Sequence, residues 1–124
     1  MEESGKRNPN KPYDLEERTE LFAREVRAFV KTLPRTIANT EDARQLVRAS
    51  GSVGANYIEA NECLGKKDFL LKIKTCRKEA KESAYSLRLI DTAADSTCDA
   101  QRNALEQEAT ELTSIFGAIF RNSE

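Results

Sequence analysis

Four stretches of the chain repeat apolar residues at helical spacing. Leu15, Phe22, Val26, Phe29 and Leu33 step by seven, four, three and four, the stripe of a first helix capped by Asp14 and stopped near Leu33 by Pro34. A second helix starts at Asn39 or Thr40, with Glu41 and Asp42 at its positive end and Ile37 tucked against the core just before it. Its stripe is Leu46, Ser50, Val53, Tyr57 and Leu64, and Gly65 closes it as a C-terminal cap. The third and longest helix runs over 67–94. Phe69, Ile73, Cys76, Ala80, Leu87, Ile90 and Ala94 form its line, which Leu70, Leu71, Ala84 and Leu89 broaden. Ser96 and Asp99 form a variant capping box, and a fourth helix over 98–121 carries Leu105, Leu112, Ile115, Phe116, Ile119 and Phe120. Short links between four such helices predict an all-α, antiparallel up-down-up-down four-helix bundle over 14–122. The polar residues 1–13, with two prolines, read as a flexible arm.

Composition narrows the chemistry. At 124 residues the chain fits one domain with a single core. It has no histidine, so the commonest near-neutral proton carrier and metal ligand are both missing. Serines lack a histidine base and a Gly-x-Ser-x-Gly turn, and Gly51-Ser52-Val53-Gly54 lacks the Lys-Ser/Thr ending of a phosphate loop. Cys63, Cys76 and Cys98 have no metal-ligand spacing and leave an odd thiol, which fits reduced, packed thiols in a cytoplasmic protein. Lys72 and Arg77 near Cys76 suit an activated thiolate, but its place on the third stripe favours burial. No stretch approaches the ~18 apolar residues of a membrane span. We expect no enzyme, no cofactor, no metal and no small-molecule substrate.

The least generic stretch is the second helix. Ala49, Ser50, Gly51, Ser52, Gly54 and Ala55 make it thin, although each interior glycine costs roughly 1 kcal/mol relative to alanine. Such glycines point to a close backbone approach. The run from Gln45 through Arg48, Gly51, Gly54 and Asn56 to Glu59 resembles the signature of the small bacterial four helix bundle proteins. These are also called 23S ribosomal RNA intervening-sequence, or S23-like, proteins. Lys67-Asp68-Phe69-Leu70 and the block from Lys78 through Glu79, Glu82 and Tyr85 to Leu87 resemble that family's second motif. The resemblance spans roughly 13–94 and implies a four-helix bundle that assembles into a ring of five subunits. It also places Asn56, Glu59, Glu79 and Glu82 on the family's characteristic positions.

Two constellations follow. Asn56 and Glu59, with Glu79 and Glu82, put polar groups at i, i+3 spacing on consecutive helices. They suit a bundle-core carboxylate metal site or a polar core network neutralised by Arg48, Lys78 or Arg88; without histidine the network is the better reading. The second is basic. Residues 64–88 carry eight basic groups against three acidic ones, whereas residues 89–124 carry two against seven. Lys67, Lys74, Lys78 and Lys81 share one helix face and are candidate nucleic-acid contacts, although no aromatic residues interleave to stack bases. A solvated face with a Lys78–Glu82 pair competes with that reading. The sequence therefore favours a non-enzymatic, homo-oligomeric scaffold for a macromolecular partner. The alternative is an RNA- or DNA-binding accessory protein using the basic face of the third helix.

Overall fold

The computed structural model describes residues 15–124; the arm expected over 1–13 lies outside them. Four helices follow in order: α1 Leu15–Val30, α2 Ile37–Asn61, α3 Lys66–Leu89 and α4 Ser96–Ser123. Successive helices run antiparallel. Glu59 of α2 meets Lys72 of α3 while Arg48 meets Glu82, and Lys66 meets Glu124, just past α4, while Arg88 meets Glu106. The apolar stripes converge on one core, with Phe22, Leu46, Val53, Ile73, Leu87, Leu112 and Phe116 fully enclosed. Tyr57 and Phe116 meet edge-on across the bundle, 5.6 Å between ring centroids. α3 packs most extensively, against α2 and α4; α1 and α4 touch least.

The glycines of α2 face α1. A Cβ on Gly54 would stand 2.9 Å from Thr19 Oγ1 and 3.2 Å from its Cβ, and Thr19 is buried, donating to the Leu15 carbonyl. Gly51 meets only the end of the Arg27 side chain. Close approach is therefore needed at Gly54 and merely convenient at Gly51.

The helix ends depart from expectation. α1 stops at Val30, where the Thr32 amide and hydroxyl both donate to the Phe29 carbonyl. α2 begins earlier than expected because Thr36 is its cap, accepting from the Asn39 amide at 3.0 Å. Asn39 is buried inside the first turn instead. Its amide nitrogen donates to the Pro34 and Asp91 carbonyls, and its oxygen accepts from the Asp91 amide. Ile37 and Leu64 are exposed, and Gly65 precedes α3 in extended backbone with φ −114, so it is no left-handed cap. α3 stops at Leu89 although the apolar register continues. Ile90 is extended yet buried, and Ala93 and Ala94 both take positive φ, 58 and 62. Arg102 holds this end, donating to the Leu87 and Ile90 carbonyls. Asp95, not Ser96, caps α4 through the Cys98 amide, and Asp99 is engaged by Thr92 and Arg102.

Candidate functional site

The expected polar set divides in two. Glu79 is almost fully covered, with 9 % of its side chain exposed. Arg48 Nη2 lies 3.5 Å from Glu79 Oε1 and 3.4 Å from Glu82 Oε1, but only the second contact has hydrogen-bond geometry. Glu79 Oε1 is thus buried and accepts no hydrogen bond. Asn56 and Glu59 are turned elsewhere: Asn56 donates to the Ser52 carbonyl one turn back, and Glu59 is exposed and pairs with Lys72 at 2.6 Å. The Glu59 hydrogen bond raises the Lys72 ammonium above its ordinary value. Three of the five residues, Arg48, Glu79 and Glu82, therefore form a cluster at the α2–α3 seam; Asn56 and Glu59 do not join it. Among the described residues no group of three metal-ligating side chains is placed to hold an ion.

Cys76 lies fully enclosed on the same side of α3, and burial pushes its thiol up to about 12, despite the opposing pull of Lys72. An activated thiolate at this position is excluded by that desolvation. All three cysteines are free thiols.

The other flank of α3 is built differently. Together with α4 it forms an open groove of about 820 Å³ lined by Lys74, Arg77, Lys78 and Lys81 of α3 and Arg121 of α4, beside Leu71, Thr75, Thr113 and Ser114. No carboxylate lines it. Among the described residues none of the five cations is ion-paired, and Glu82, the expected partner of Lys78, is taken by Arg48. Phe120 positions two of them: Lys74 Nζ and the Arg77 guanidinium lie 5.9 and 6.0 Å from its ring centroid. A Cβ at Gly117 would make only ordinary contact, 3.4 Å from Arg121 Nη1 and 3.6 Å from Arg77 Cδ, so the groove does not depend on glycine there. The Thr75 and Thr113 hydroxyls donate back to their own helices, which leaves the cations and Ser114 as the groove's side-chain donors.

Lys67, the fourth lysine of the expected face, is exposed but does not line the groove. The sequence does not place Arg77, Arg121 or Phe120 with the basic face: Arg77 reads only as a neighbour of Cys76 and Phe120 only as part of the fourth stripe, and the α4 members have no signal in the α3 pattern. Tyr85 stands beyond the lysines and not among them. It is exposed, one turn beyond Lys81, and Arg88 lies 5.8 Å from its ring centroid. The α1–α4 seam offers a contrast: a cavity of about 500 Å³ lined by Glu25, Glu108 and Glu111, where Arg18 is already held by Glu108 at 2.7 Å and Glu111 at 2.8 Å.

An all-α antiparallel four-helix bundle with a broad third helix defines the class. The chain belongs to the 23S rRNA-intervening sequence protein family, whose model matches residues 13–118. It is similar in structure to a protein of unknown function from the S23 ribosomal protein family of Bacteroides thetaiotaomicron VPI-5482. That likeness has a TM-score of 0.71 at 24% identity and covers 85% of this chain and 96% of the other. No curated protein sequence matches the chain. No helix among the described residues is long and apolar enough to cross a membrane.

Proposed function

We propose that the protein is a non-enzymatic nucleic-acid-binding bundle that holds phosphate backbone along the α3–α4 groove, acting in the cytoplasm, where its free thiols stay reduced. The observation that carries this reading is the set of five cations, Lys74, Arg77, Lys78, Lys81 and Arg121, unpaired among the described residues, around one groove without a carboxylate. Clustering like charges costs stability, and a polyanion that neutralises them releases its counterions. The test is a titration with labelled structured RNA across a range of salt concentrations. Replacing Lys74, Lys78 and Lys81 by Gln lowers the log–log salt slope by up to about 3, while the mass from light scattering stays unchanged. No RNA binding by the wild type at low salt removes the reading.

Exposed apolar residues favour a second reading, a homo-oligomeric interaction scaffold, with five subunits by family resemblance. Ile58 of α2, Leu64 of the following loop and Leu71 and Leu89 of α3 are all half or more exposed. In that case the groove lysines meet the acidic α4 of a neighbouring copy, and the same triple variant loses assembly in light scattering.

A further inference from the structure

We infer that Tyr85 is a base-stacking platform continuing the groove, so that the strand it takes is unpaired nucleic acid. This inference rests on the proposed nucleic-acid function and names the kind of strand. Lys74, Lys78, Lys81 and Tyr85 follow one another by four, three and four residues, which keeps them on one face of α3 along roughly 16 Å of helix. The lysines reach the groove, and Tyr85 stands next in that line with 56% of its surface exposed. Arg88 lies 5.8 Å from its ring centroid on one side and also pairs with Glu106 of α4 at 3.4 Å.

An exposed aromatic ring at the end of a line of unpaired ammonium groups suits a strand whose phosphates follow the lysines while a base lies on the ring. A base inside a duplex has both faces covered by its neighbours and cannot offer one to Tyr85, whereas an unpaired base can. Glu82 flanks the same face, but Arg48 engages it from the α2 side, which moderates its repulsion of the backbone.

The experiment uses the full-length protein with Tyr85→Ala and Tyr85→Phe. Labelled single-stranded RNA, single-stranded DNA of the same sequence and the matching duplex are titrated by fluorescence anisotropy. The wild type binds the single strands more tightly than the duplex. Tyr85→Ala weakens single-strand binding roughly 5- to 100-fold without changing the salt slope, and Tyr85→Phe keeps most of the affinity. The tighter of the RNA and DNA arms identifies the natural strand. Equal losses on single strand and duplex overturn the inference, as does a Phe variant as weak as Ala. A drop in oligomer mass for Tyr85→Ala with unchanged nucleic-acid affinity also overturns it, showing that a second copy covers the ring. Binding that ignores Tyr85 sinks stacking alone; absence of any binding by the wild type sinks the groove reading with it.

Discussion

The side of the bundle built on α2 and the outer groove between α3 and α4 handle the same materials in opposite ways. On the α2 side backbones press together at Gly54 and Thr19, Cys76 is enclosed, and the charges have partners: Arg48 with Glu79 and Glu82, Lys72 with Glu59. In the groove the helices leave open space, and five cations face it without an acid. One element, α3, supplies both flanks. The difference teaches that its lysines are not interchangeable: Lys72 is ion-paired at the seam with α2, while Lys74, Lys78 and Lys81 have no acidic partner among the described residues.

Gly54→Leu tests the tight side most severely. Leucine is the better helix former, yet its Cβ begins 2.9 Å from a buried hydroxyl, so urea melts should show a loss of about 1–3 kcal/mol from overpacking. Gly51→Ala meets only the mobile end of Arg27 and should gain up to about 1 kcal/mol. A gain at both positions would dissolve the contrast.

Glu79→Ala comes next, at about 1–2 kcal/mol. That is less than the 3–5 kcal/mol typical of breaking a buried pair, because its partner Arg48 is 53% exposed and keeps Glu82. Glu59→Ala, which breaks an exposed pair, should cost no more than about 1 kcal/mol. Equal losses at Glu79 and Glu59 in thermal melts would contradict the geometry of the seam.

At neutral pH the enclosed thiol has no titration effect, and its contribution shows only in alkali. The folded state favours the protonated Cys76, whose ordinary value of 9.0 is pushed up to about 12. Its stabilisation is complete below pH 9 and is lost as pH rises toward 12. Burial raises Tyr57 as well, so Cys76→Ala should make the alkaline fall in stability shallower without abolishing it. An unchanged alkaline profile would mean that the thiol titrates normally.

Helix number, order and core faces were legible because burial repeats with the helical period: Phe22, Val53, Ile73 and Leu112 lie where their stripes placed them. The ends were less legible. Thr36, Asn39 and Thr40 are all good capping residues, and local chemistry does not say that Asn39 is needed by Asp91, 52 positions away. Nothing in Ala93-Ala94 announces two left-handed residues, which usually call for glycine. The basic face of α3 was readable from spacing, but its completion by Arg121 and Phe120 is a product of tertiary packing. The reading of Asn56 and Glu59 as one cluster with Glu79 failed for the same reason: i, i+3 spacing fixes a face, not the partner that covers it.

The Asn39 side chain acts as a register lock. It bonds the Asp91 backbone as a strand neighbour would, through one donor and one acceptor, and so stitches the α1–α2 turn to the segment after α3. The Asn39 stitch closes only when the α1–α2 turn and the segment after α3 stand side by side, so it reports the register of the whole bundle. Because it is uncharged and buried, salt does not loosen it, so the two ends of the bundle it joins remain latched across an ionic-strength series that screens the exposed groove cations.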